Sequence, residues 1–99
     1  MASVPQGRFR VTLVLPRWTV ENVLTLLPRE GGALEGSLDT LDGHPPTAFT
    51  DGRWNKDSFF IRLAVGPGAL LLTGRVEGDQ LTGTVVIDDT PDHLTGTRI

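Results

Sequence analysis

The stretch Ala69-Leu70-Leu71-Leu72-Thr73-Gly74-Arg75-Val76-Glu77-Gly78-Asp79-Gln80-Leu81-Thr82-Gly83-Thr84-Val85-Val86-Ile87 decides the fold. Side chains along an extended strand point alternately to its two faces. Here Leu70, Leu72, Gly74 and Val76 share one face, and Leu71, Thr73 and Arg75 share the other. After the turn-forming pair Gly78-Asp79, the residues Leu81, Gly83, Val85 and Ile87 repeat the scheme. Two alternating runs joined by such a pair read as a β-hairpin with one apolar face.

The same period runs outward in both directions. Phe9, Val11, Leu13 and Leu15 alternate with Arg8, Arg10, Thr12 and Val14, and Phe59, Ile61 and Leu63 alternate with Ser58, Phe60 and Arg62. The segment from Arg17 to Leu27 has some helical spacing. Val20, Leu24 and Leu26 also fit alternation, with Asn22 the exception, so it is read as a strand. Turn chemistry separates the runs at Gly31-Gly32, Asp42-Gly43, Asn55-Lys56-Asp57, Gly66-Pro67-Gly68, Gly78-Asp79 and Pro91-Asp92. Gaps this short leave no space for crossovers, so consecutive strands are expected to be antiparallel.

The expected strands cover about 8–15, 19–28, 33–39, 46–54, 57–65, 69–77, 80–88 and 92–99. Twelve Thr, nine Val and three Ile, all stiff at χ1, suit a pleated surface. Eight short antiparallel strands leave two raw edges and one wet apolar face unless the meander curls on itself. The expected fold is therefore all-β, an eight-stranded up-and-down barrel.

Composition sets limits on function. Ninety-nine residues suit one domain over residues 1–99, with 1–6 expected to be flexible. Net charge is −3, with eight Arg and one Lys against twelve acids, which argues against a nucleic-acid footprint. The absence of Cys removes disulfides, thiolate nucleophiles and Cys-based zinc sites. No apolar run approaches the roughly 18 residues of a membrane span, and Met1-Ala2-Ser3-Val4-Pro5-Gln6-Gly7-Arg8 lacks the features of a signal peptide. A cytoplasmic location is expected, and the preference for Arg over Lys suggests a GC-rich bacterial genome.

A weak repeat runs through the chain: Leu34-Glu35-Gly36, Leu72-Thr73-Gly74, Leu81-Thr82-Gly83 and Leu94-Thr95-Gly96. Period 2 sends each Leu and its Gly to the same, inner face. Gly weakens a strand by roughly 0.5–1 kcal/mol relative to Ala, so four aligned cases imply a shared purpose. A sharply curved wall needs positions without a Cβ; the alternative is that the glycines leave a void for a ligand.

The run Ala69–Val85, with Leu24-Thr25-Leu26, Gly32-Ala33-Leu34-Glu35-Gly36-Ser37-Leu38, Gly52, Asp57-Ser58-Phe59 and Thr95-Gly96-Thr97-Arg98, resembles the small bacterial lipocalin-like (calycin-type) β-barrel modules. Such modules occur alone or appended to amidohydrolases. The resemblance implies a barrel and assigns no chemistry. Where those barrels open with Gly-x-Trp, this chain has Gly7-Arg8-Phe9. By the same analogy, Arg98 is expected to lie across the first-strand aromatic as a cation–π lid.

The catalytic inventory is thin. His93 sits near Asp88, Asp89 and Asp92, His44 precedes Pro45-Pro46, and Ser37 and Ser58 lack a nucleophile-elbow context. Gly66-Pro67-Gly68 opens onto a strand rather than a helix N-terminus, so it is no phosphate loop. The sequence assigns no catalytic residue, no metal ligand and no cofactor. A small apolar ligand at one barrel mouth would meet Trp18, Asn22, Phe49 and Trp54. On the outer face, Val14, Leu27, Phe60, Leu71 and Val86 are apolar where water is expected, which points to a homodimer. The leading functional expectation is a non-catalytic small-molecule-binding or assembly module. A cofactor-free cyclase or isomerase using an apolar cavity, and a purely structural homodimer, are the alternatives.

Overall fold

A computed structural model describes residues 4–14, 19–41, 43, 45–65, 68–87 and 89–99. It contains nine strands: β1 (Gly7–Val14), β2 (Thr19–Pro28), β3 (Leu34–Asp39), β4 (Thr47–Ala48), β5 (Asp51–Asn55), β6 (Ser58–Val65), β7 (Gly68–Glu77), β8 (Gln80–Ile87) and β9 (Thr90–Arg98). They form one antiparallel sheet in the order β4-β3-β2-β1-β9-β8-β7-β6-β5. The segment with partly helical spacing is strand β2, paired with β1 from Gly7↔Leu26 to Val14↔Thr19. Among the described residues, no helix is long and apolar enough to cross a membrane.

The all-β antiparallel meander is as expected, but the strand count and the closure are not. The sheet is a strongly curled half-barrel of nine strands, not a closed barrel of eight. The single strand expected over 46–54 is two. Thr47 and Ala48 pair with β3, whereas Asp51 to Asn55 pair with β6. Between them, Phe49 donates its backbone N–H to Gly36 O (3.1 Å) and Thr50 donates to Arg62 O (2.8 Å). The chain thus steps from one edge of the sheet to the other.

Register explains why no ladder bridges this seam. Ser37 pairs with Ala48. The only further contact of this kind among the described residues is an isolated bridge, Ala33↔Arg53. Between these two pairs, the three residues 34–36 therefore face the four residues 49–52. A one-residue excess leaves backbone groups out of step, as in a β-bulge, and Gly36 within it adopts φ +145°.

The hairpin turn expected at Pro91-Asp92 also lies elsewhere. Asp89, at φ +63°, is in the turn, and Thr90 already begins β9. Pro91 is tolerated there for a geometric reason. Arg98 N–H donates to Asp79 O, so even-numbered amides of β9 face β8 and odd ones face β1. The missing N–H of Pro91 therefore faces β1, whose ladder ends at Val14↔His93.

The inner face is the apolar one. Phe9, Val11, Leu24, Leu26, Ile61, Leu63, Leu72, Val76, Leu81 and Val85 expose no surface at all, so side chains fill the middle of the half-barrel. Burying each large aliphatic or aromatic group contributes about 1.5–3 kcal/mol. The Leu-x-Gly glycines serve this packing. A Cβ on Gly74 would lie 2.9 Å from the Phe59 ring, one on Gly96 would lie 2.7 Å from Val11 Cγ1, and one on Gly36 would lie 2.9 Å from the Phe49 ring. Their missing side chains make room for neighbours, not for a void.

One end of the half-barrel is sealed. The Arg98 guanidinium stands 4.6 Å from the Phe9 ring centroid, the lid that the resemblance implied. It donates through Nη1 to Gln6 O (2.5 Å) and through Nη2 to Gly78 O (3.2 Å), with Asp79 Oδ1 3.3 Å from Nε. At the same end, Arg75 Nη2 donates to Asp57 Oδ2 (2.9 Å), and Val76 N–H donates to Asp57 O. The hydrogen bond from Arg75 holds the Asp57 carboxyl below the usual carboxylate range. A lowered folded-state value contributes stability above the unfolded pKa and loses it as pH falls through the folded one. Asp57→Asn is therefore expected to melt below wild type at pH 7, with the gap closing below about pH 4. Thermal melts across pH 2–7 check this; a gap that persists at the acid end contradicts the assignment.

Candidate functional site

Asn22 is the one buried polar side chain among the described residues, at 1% exposure. Its position follows from the pleat. Val11 lies directly opposite on β1, so Asn22 joins Val20, Leu24 and Leu26 on the inner face. It also sits one residue beyond the last β2–β3 pair, Val23↔Asp39. Its Nδ2 has no hydrogen-bond partner. A buried donor left unmade costs about 1–3 kcal/mol, and buried polar groups in folded proteins are nearly always satisfied. An apolar residue would fit this lining without that penalty.

The other residues expected at a mouth are spread through the fold. Phe49 occupies the step between β4 and β5, half-buried against the core and over Gly36. Trp54 lies opposite Phe59 near the 56–57 turn, and its Nε1–H donates to Arg29 O (2.9 Å). That end is the one Arg98 closes, whereas Asn22 lies toward the end carrying the β1–β2 link. Trp18 lies outside the described residues. Among the described residues toward that end, Leu13 and Leu70 retain 6% and 7% exposure, and Val20 and Ile87 are half-buried. The described lining is thus more exposed toward this end than in the filled middle.

Among the described residues, the acidic groups around His93 do not converge. Successive residues of β9 point to opposite faces, so exposed His93, between Thr84 and Val14, looks away from half-buried Asp92. Asp88 and His44 lie outside the described residues. Among those described, no group of three or more His, Cys, Asp or Glu is placed to hold a metal. The Ser58 hydroxyl donates to Asp57 Oδ1 (3.3 Å), a turn contact rather than a catalytic one.

The five outward apolar residues separate into groups. Phe60, Leu71 and Val86 meet around one open groove of about 490 Å³, together with Asp51, Arg62, Ala69 and Asp89. Val14 stands apart on β1 at 41% exposure. Leu27, at 42%, belongs to a different groove of about 650 Å³ that runs along the seam between β3 and residues 48–52. Sequence reasoning missed this seam groove because the strand expected over 46–54 concealed the step. It also missed the charged frame around Phe60 and Leu71, for which Asp51 and Arg62 facing each other across β5 and β6 is the signal. No protein-family model matches the chain, and no curated protein matches it closely enough to count as a relative.

Proposed function

We propose that this half-barrel is a lipocalin-like, non-catalytic binding module. At the end opposite Arg98 it takes a small apolar molecule bearing one hydrogen-bond acceptor, which the Asn22 amide receives. The orphaned Nδ2 carries the reading: a donor buried among Val11, Val20 and Leu24 lowers stability and is accounted for by an acceptor that arrives with a ligand. Apolar lining with one placed polar group is the usual composition of a small-molecule site. An amide donates and orients but does not exchange protons as a general acid or base near neutral pH. The arrangement therefore favours binding over cyclase or isomerase chemistry.

The probe is 1-anilinonaphthalene-8-sulfonate, an apolar ring system with sulfonate acceptors. Wild type is expected to bind it saturably at one site, with a shift of the Asn22 side-chain NH₂ resonance. Asn22→Leu is expected to weaken binding by about tenfold, the value of about 1.4 kcal/mol. The same variant should be more stable by about 1–3 kcal/mol in urea denaturation, since it removes an unmade donor. Absence of saturable binding, or binding untouched by Asn22→Leu, overturns the proposal.

A further inference from the structure

The outer wall of β6 to β9 is divided by chemistry. Toward the Gly78-Asp79 turn its outward positions are polar, with Arg75, Glu77, Gln80 and Thr82. Phe60 stands level with Thr73 and Thr84, and toward the Asp89 turn Leu71 and Val86 join it around the 490 Å³ groove. Leu71 and Val86 are direct cross-strand neighbours, and Arg62 lies opposite both Leu71 and Asp51. Half-buried apolar groups that share one groove and are rimmed by charge suit an interface.

The charges identify the partner. Neither the Arg62 guanidinium nor the Asp51 and Asp89 carboxylates form an ion pair with another described residue. One cation and two flanking acids on the same face make that face complementary to itself, as a two-fold interface requires. We propose that the occupant is a second copy of this chain, docked about a two-fold axis through the Leu71–Val86 patch. Arg62 of each protomer then reaches Asp51 or Asp89 of the other. A standard interface takes about 800 Å² from each partner, roughly an eighth of the protomer's 6161 Å² surface. This inference stands independently of the ligand reading, because the patch and Asn22 lie on opposite faces of the sheet.

Sedimentation velocity over a concentration series is the test. Wild type is expected at twice the protomer mass in the micromolar range, and Leu71→Lys at the protomer mass with an unchanged far-UV circular dichroism spectrum. Should Leu71→Lys fail to fold, Arg62→Glu provides the second variant, since the Arg62 side chain is exposed. It is expected to weaken association at least tenfold, with Arg62→Glu/Asp51→Arg/Asp89→Arg restoring it. A wild type that stays at the protomer mass throughout, or a dimer that survives both single variants, overturns the proposal.

Discussion

Gly83→Val is expected to be the most damaging single substitution considered. It should cost about 3 kcal/mol or more, at the upper end of what overpacking does to a core. Gly83 faces Gly74 across β7 and β8, and a Cβ on it would lie 2.7 Å from Gly74 Cα and against the Thr73 carbonyl. Both obstacles are backbone, so no rotamer change relieves the clash. The strands would have to separate, taking with them the Leu72↔Val85 and Val76↔Leu81 contacts that fill the interior. Thr84→Val, the next residue and outward-facing, is the control and should stay within about 0.5 kcal/mol of wild type. Urea denaturation of both variants measures the contrast. A Gly83→Val protein within about 1 kcal/mol of wild type would refute close approach as the reason for this glycine.

Arg98→Ala is expected to cost about 2–3 kcal/mol, through a different mechanism. Hydrogen bonds made by a charged donor contribute about 1.5–3 kcal/mol when buried. The Arg98 side chain is one-third exposed, at 34%, so its bonds to Gln6 O and Gly78 O are weaker than that range. Stacking over Phe9 adds about 0.5–1 kcal/mol at a site this exposed. Arg98→Lys should recover little, because an ammonium lacks the planar fork that serves two carbonyls and a ring together. Phe9→Leu combined with Arg98→Ala separates the ring contact from the hydrogen bonds. A coupling energy near zero in that double-mutant cycle would show that the ring takes no part.

Most of the lining is legible in the sequence. The alternation in β1, β6, β7 and β8 placed Phe9, Val11, Ile61, Leu72, Leu81 and Val85 inside, and all six are fully buried. Asn22 was legible as the residue that breaks the apolar pattern of β2. What could not be read was its lack of a partner, since that depends on which strands end beside it. Phe49 and Trp54 read as members of one mouth because alternation assigns a face but not a height along the barrel. The seam escaped notice for a related reason. Thr47 to Asn55 carries the composition of one strand, and nothing local records that its halves pair with opposite edges.

By itself, the sequence determined the pleat: which residues face inward, where chains reverse, and that neighbouring strands run antiparallel. Those properties depend on side-chain alternation and on turn residues a few positions apart, which are local. Only the tertiary structure decided that the sheet stops short of closure. That outcome rests on a one-residue mismatch between Ala33–Ser37 and Ala48–Arg53, segments that meet only after every intervening ladder has added its twist. It likewise decided that Phe60, Leu71 and Val86 frame one groove and that the Asn22 amide is left without an acceptor. Each of these is a distance between strands, and no period within a strand encodes it.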